Sequence, residues 1–335
     1  MIRPMRVFTD PRCLQHRSPR GYPERPERLS AIVDHLRTQG WDLAEGKWEG
    51  DARQAVFALH EERYVERFER AVERGDSLLD SADNPLSSGT WEASWAAVET
   101  TLAAADWAVS GGGGNRAFAA VRPPGHHAER AVAMGFCFFN NVAVAAEHLR
   151  RKGAERVAIF DFDVHHGNGT QHLFESRADV FYASTHQYPF YPGTGAASET
   201  GIGDGEGATL NVPLPAGTDD AGYAEAIQGK VIPALRAFAP DVLLVSAGFD
   251  AWQNDPLGGM RVTEEGFRIW GEWLRALADE VCGGRLLAVL EGGYDLASLP
   301  RLVEASLKGF DGRPLGSLSP GTGERAGERG NGINY

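Results

Sequence analysis

RVAIFDFDVHHGNG, residues 156–169, begins as an apolar, branched run and ends in two aspartates and two histidines. Its first part, RVAIF (156–160), lacks the polar alternation of a half-exposed strand and reads as a strand buried on both faces. The same pattern recurs at AFAAVR (117–122), DVFYAS (179–184), DVLLVSA (241–247) and RLLAVL (285–290). Helical patterns fill the intervals. NVAVAAEHLRRK (141–152) precedes RVAIF, residues 220–238 precede DVLLVSA, and residues 263–281 precede RLLAVL. Thr263, with Glu265 and Gly266 behind it, reads as a helix start; Pro240 and Gly283-Gly284 read as stops. This alternation predicts an α/β fold with a central, mostly parallel sheet and helices on both sides.

In open parallel sheets, ligands bind beyond the carboxyl ends of the strands. AFAAVR runs into PPGHH, RVAIF into DFDVHHGNG, DVLLVSA into GFD and RLLAVL into EGGY, so four strands carry His, Asp and Tyr to one edge. Asp161, Asp163 and His165 stand at i, i+2 and i+4, and on an extended chain all three would face one side. Clustered buried charge is costly unless a cation or a partner balances it. A divalent metal would do so, and Asp250 can complete the set. Two aspartates and one histidine leave a position open, as a catalytic metal requires, whereas structural zinc sites close all four. Strand-end capping would explain any one of these residues alone; their convergence favours the metal.

His126 and His127 follow a stiff Arg122-Pro123-Pro124-Gly125 segment. Adjacent imidazoles, with reference pKa values near neutrality, suit a general base and a general acid. Tyr294, after Glu291-Gly292-Gly293, can donate a hydrogen bond to a developing oxyanion. His60, His148, His172 and His186 are expected to be structural. The Gly111–Gly114 run reads as a turn into a strand, since neither a helix start nor a Lys follows it.

Composition sets wider bounds. The chain has 335 residues, 42% of them hydrophobic and 24% charged, which suits one large domain. Residues 1–311 are expected to form it, with 312–335, rich in Gly, Ser, Arg and Glu, as a flexible tail. Cys13, Cys137 and Cys282 form no CxxC pair, which excludes a thiolate zinc site and suggests a reducing compartment, most simply the cytoplasm. No signal peptide or membrane span is read at the sequence level. A net charge of −13 opposes nucleic-acid binding and favours cationic partners.

The segments RPPGHHAERAVAMGFCFFNNVAVAA (122–146), IFDFDVHHGNGTQ (159–171), PFYPGTG (189–195), SAGFDAWQNDPLGG (246–259) and LEGGYDL (290–296) closely resemble the histone deacetylase superfamily. The likeness is particularly to its class II members and the bacterial acetylpolyamine amidohydrolases. YPERPERLSAI (22–32) and LSSGTWEASWAA (86–97) add weaker likeness. The resemblance implies an arginase-like, three-layer α-β-α single domain. It implies one zinc on Asp163, His165 and Asp250, and a potassium ion near Asp161 and Ser184. It pairs His126 with Asp161 and sets His127 near Asn168, a position that is Asp in class I; lacking a negative partner, His127 should be the less basic. His127 is then the expected base, His126 the expected acid and Tyr294 the oxyanion donor. Phe136 and Tyr191 would flank a narrow channel, the Gly135 carbonyl would accept the substrate N–H, Leu257 would sit at the mouth, and Asp83 would be a rim contact. The implied activity is removal of an acetyl or similar acyl group from acetyl-lysine, an acetylpolyamine or a related small or peptide amine; relatives range from monomers to homo-oligomers. Two rivals remain. A dimanganese ureohydrolase needs further bridging carboxylates, but His166-Gly167 follows His165 and Ala251-Trp252 follows Asp250. A non-catalytic acyl-amine binding protein on the same fold would lack turnover.

Overall fold

Eight strands form one sheet in the order β2-β1-β3-β8-β7-β4-β5-β6, every neighbouring pair parallel. The computed structural model describes residues 5–112 and 114–312. The strands are β1 (Arg6–Thr9), β2 (Leu43–Glu45), β3 (Arg116–Ala119), β4 (Val157–Asp161), β5 (Val180–Gln187), β6 (Thr209–Leu214), β7 (Val242–Ala247) and β8 (Leu286–Leu290). Helices flank the sheet: α1 (Pro26–Thr38), α2 (Ala52–Phe57), α3 (Glu62–Arg74), α4 (Thr90–Val109), α5 (Asn141–Arg151), α6 (Asn168–Phe174), α7 (Asp220–Ala226), α8 (Ile232–Phe238), α9 (Glu264–Cys282) and α10 (Leu299–Asp311).

The five sequence-read strands are β3, β4, β5, β7 and β8, and every residue in them is buried. A sheet covered on both faces has no use for polar alternation, which is why these runs read as continuously apolar. Each fully buried Leu or Val contributes roughly 1.5–3 kcal/mol over exposure. The edge strands β2 and β6 are partly exposed. α9 begins as expected, with the Thr263 hydroxyl accepting from the Gly266 N–H. Residues 220–238, read as one helix, are instead α7 and α8 joined by a π turn at Ile227–Val231. Pro233 lacks the N–H that an unbroken helix would use there.

β3, β8, β7 and β4 are adjacent at the sheet centre, and because all are parallel their carboxyl ends share one edge. That edge receives the histidine pair after β3, Asp163 and His165 after β4, Asp250 after β7 and Tyr294 after β8. The three cysteines are buried and unpaired with one another. Among the described residues, no helix is long and apolar enough to cross a membrane. Of the tail expected at 312–335, residues 313–335 lie outside the described residues, as does Gly113 of the glycine run; Gly312 ends α10 in the left-handed region.

Candidate active site

β4 ends at Asp161, so the chain is no longer extended at Asp163 and His165. The common face expected of Asp161, Asp163 and His165 on an extended strand therefore does not form. Asp161 faces away from the cluster, with Oδ2 3.0 Å from His126 Nδ1 and accepting from the Tyr182 hydroxyl at 3.2 Å. The turn beyond β4 instead joins Asp163 and His165 to Asp250. Their potential ligand atoms all lie within 4.8 Å of one another. His165 Nδ1 lies 3.1 Å from Asp163 Oδ1 and 3.2 Å from Asp250 Oδ2.

These residues fit a divalent cation. Asp250 is fully buried, and its Oδ2 receives no aligned hydrogen bond despite the nearby imidazole. Two buried carboxylates demand positive charge. Burial opposes a proton on His165, yet Asp163 and Asp250 override it and push the imidazole up to about 10. Backbone leaves the space: a Cβ at Gly292 would stand 2.1 Å from Asp250 Oδ2, and one at Gly248 would stand 2.0 Å from Asp163 Oδ2. The carboxylates are braced from behind, Asp163 Oδ2 by the Gly292 N–H (2.8 Å) and Asp250 Oδ1 by the Val164 N–H (2.9 Å).

The two histidines have opposite electrostatics. Burial opposes the charge on His126, but Asp161 and Asp163 outweigh it and raise its pKa to about 10. Burial, then the neighbouring His126 and His165, hold His127 well below its usual value. The imidazole rings are 4.0 Å apart, so both cannot comfortably be charged. Asn168 Nδ2 donates to Glu129 Oε1 at 2.5 Å, which turns Asn168 Oδ1 toward His127 Nδ1 at 2.7 Å. His127 therefore carries its hydrogen on Nδ1 and leaves Nε2 as the acceptor.

A channel of about 300 Å³ leads to this centre, lined by Asp83, His127, Gly135, Phe136, His165, Phe190, Tyr191, Leu257 and Tyr294. Every expected channel residue is among them, with Phe190 added. Tyr191 lies edge-on to His127, and its hydroxyl donates to Asp83 Oδ2 at 2.8 Å. Phe136 packs edge-on against Tyr294, with ring centroids 5.8 Å apart. Phe136 takes φ +69°, a region costly for a side chain with a Cβ. Its N–H is held by the buried Asn84 side chain at 2.8 Å, and the Gly135 N–H by Asp83 at 3.1 Å. The Gly135 carbonyl accepts from the Cys137 thiol at 3.2 Å. Burial pushes the Tyr294 phenol well above its usual pKa, so it remains a donor.

Ser184 pairs in register with Asp161 on the adjacent strand, both fully buried, and the Ser184 hydroxyl contacts His186 Nδ1 at 2.9 Å. His60, His148, His172 and His186, expected to be structural, each contact other protein groups. His60 bridges the Glu129 carbonyl and the Asn140 N–H, His148 meets Asp106, and His172 meets Glu129.

Sequence reasoning missed a supporting layer. The Glu291 side chain, fully buried with its pKa pushed to about 7 by burial, accepts the N–H groups of Gly125 (2.7 Å) and His126 (3.2 Å). Arg28 donates to the carbonyls of Glu291 and Gly293, both at 2.6 Å, and its guanidinium lies 4.7 Å from the Tyr294 ring centre. Glu24 binds Arg122 through both oxygens at 2.7 Å. A charged residue at the very end of an apolar strand, as at Glu291, is the signal that could have flagged this layer.

Residues 22–310 match the family described as the histone deacetylase domain. A probable deacetylase of Archaeoglobus fulgidus is 39% identical over 306 residues, covering 89% of this chain and 84% of that protein. A histone deacetylase-like amidohydrolase of Pseudomonas aeruginosa is 44% identical over 282 residues, covering 83% and 73%. Among solved structures, an acetylpolyamine aminohydrolase from Burkholderia pseudomallei superposes with a TM-score of 0.84 at 33% identity, covering 92% of this chain and 99% of that one.

Proposed function

The chain belongs to the histone deacetylase family, and on that premise we propose that it is a zinc-dependent amidohydrolase removing an acetyl or similar small acyl group from a cationic amine. The observation that carries this reading is Asp250 Oδ2, buried, without an aligned donor, and facing His165 Nδ1. The hydrolase class accords with relatives named as deacetylases and amidohydrolases. Asp163, His165 and Asp250 would hold the zinc. When bound, the ion supplies Lewis acidity at the amide carbonyl and lowers the pKa of a water.

The rest of the chemistry falls to the side chains. His127, neutral and open at Nε2, takes the proton of the attacking water. The Tyr294 hydroxyl donates to the carbonyl oxygen as negative charge develops there. His126, protonated and paired with Asp161, gives its proton to the departing amine. Asn168 orients His127. Phe136, Tyr191 and Leu257 exclude water from the alkyl stem of the substrate, and the Gly135 carbonyl is the acceptor for its amide N–H. Asp83 is the carboxylate at the rim that a second amine or a peptide backbone would meet. Asp161 and Ser184, in register on adjacent strands, are the side chains that would hold a potassium ion. Acetyl-lysine peptides and acetylpolyamines both fit a channel with apolar walls and one acidic rim residue.

Turnover of a fluorogenic acetyl-lysine amide tests the reading. Release should be abolished by a chelator and restored by zinc. A panel of acetylspermidine, acetylputrescine and an acetyl-lysine peptide then assigns the substrate. A kcat/KM ratio above about 100-fold, roughly 2.7 kcal/mol, separates the classes. No chelator-sensitive release across several acyl groups would leave a binding protein on this fold.

A further inference from the structure

We propose that Asp255 is a positioning residue that sets the backbone of both Tyr294 and Leu257, and through Tyr294 governs the rate of the deacetylation inferred above, on which this proposal rests. Asp255 lies in the loop beyond β7, past Asp250, and does not line the channel. Its side chain is buried. Oδ1 accepts the Leu257 N–H at 2.9 Å, and Oδ2 accepts the N–H groups of Tyr294 at 2.6 Å and Asp295 at 3.2 Å. Among the described residues no lysine or arginine forms an ion pair with it, so three backbone dipoles hold this carboxylate. The Trp252 indole closes the arrangement by donating to Asp295 at 3.3 Å.

The same carboxylate therefore bridges the loop carrying the channel mouth and the loop carrying the phenol. The Tyr294 loop contains Gly292 and Gly293 and has little stiffness of its own. Arg28 grips its carbonyls from one side and Asp255 its amides from the other. The phenol hydroxyl sits at the far end of a rigid ring. A small rotation at the Tyr294 backbone carries that hydroxyl by roughly 1 Å, a misplacement that costs about 100-fold in rate.

The test is a double-variant cycle on the zinc-loaded full chain, read with the fluorogenic acetyl-lysine amide. Asp255→Asn keeps the size but turns one acceptor oxygen into an NH2 group that faces N–H donors. Its kcat should fall at least about tenfold, with KM within about threefold of wild type and zinc content unchanged. In a Tyr294→Phe background the same change should alter kcat by less than about twofold, because Asp255 then has no hydroxyl to aim. An unchanged kcat, losses that multiply in the double variant, or loss of zinc would each overturn the proposal. If Asp255→Asn does not fold, Asp255→Glu enters the same cycle; failure of both to fold assigns a merely structural role and also overturns it. A wild-type chain without turnover fails the deacetylase reading before any Asp255 variant is assayed, and this proposal falls with it.

Discussion

Gly292→Ala should cripple the proposed metal centre without removing any of its proposed ligands. A Cβ built at Gly292 stands 2.1 Å from Asp250 Oδ2 and 2.6 Å from Asp163 Oδ2. Contacts below about 3.0 Å are not tolerated, so one carboxylate or the loop must retreat by roughly 1 Å. Metal–oxygen bonds are only about 2.0–2.2 Å long, and a shift of this size forfeits a bond. Perturbing groups behind metal ligands typically costs 10–100-fold in affinity. Displacing a ligand outright belongs at the upper end, about 100-fold or roughly 2.7 kcal/mol. Overpacking adds about 1–3 kcal/mol of destabilisation. Gly292 does not occupy the left-handed region, so backbone strain does not confuse the result. Gly229→Ala is the control, since its Cβ meets nothing within 4 Å. Zinc affinity by chelator competition and kcat/KM at saturating zinc are the readouts. Wild-type affinity and full turnover in Gly292→Ala would refute the placement of the ion between these carboxylates.

Three further outcomes are expected. Asn168→Asp places a carboxylate at His127 Nδ1, raising the pKa of a base that works when neutral; the acid limb of the kcat/KM profile should move up by at least about 1 pH unit, and an unmoved limb would remove His127 from that role. Tyr294→Phe should lower kcat about 10²–10³-fold with little change in KM, measured with the same fluorogenic amide. Glu24→Gln should destabilise the fold by about 3–5 kcal/mol in thermal or denaturant unfolding, because it strands buried Arg122. Burial opposes the Glu24 charge, but Arg122 and His16 hold it well below the usual carboxylate range. Its stabilisation is therefore complete above the unfolded carboxylate pKa and is lost as pH falls from there toward the folded value.

What the sequence disclosed follows from burial. β3, β4, β5, β7 and β8 are covered on both faces, so their apolar runs are unbroken and legible. β1, β2 and β6 were not read: RVFT and LAE are too short to show a period, and TLNVPL carries a proline and a polar residue at a sheet edge. Asp163, His165, Asp250, His126, His127 and Tyr294 were legible because each lies in the short segment that leads out of an apolar strand. Their mutual arrangement was not, because β4 ends at Asp161 and the turn beyond it decides which carboxylate faces the cluster. Asp255, Glu291, Asn84 and Arg28 bond to backbone groups far away in the chain. Backbone N–H and carbonyl positions carry no residue-type signature, so such partners emerge only from the folded geometry.

The most direct measurement is zinc per chain by emission spectrometry, on wild type and on Asp250→Asn, with circular dichroism to verify folding. The reading requires one equivalent in the wild type, and a loss of both metal and hydrolysis in the folded variant. Undiminished zinc in Asp250→Asn, or full turnover by metal-stripped protein, would contradict it.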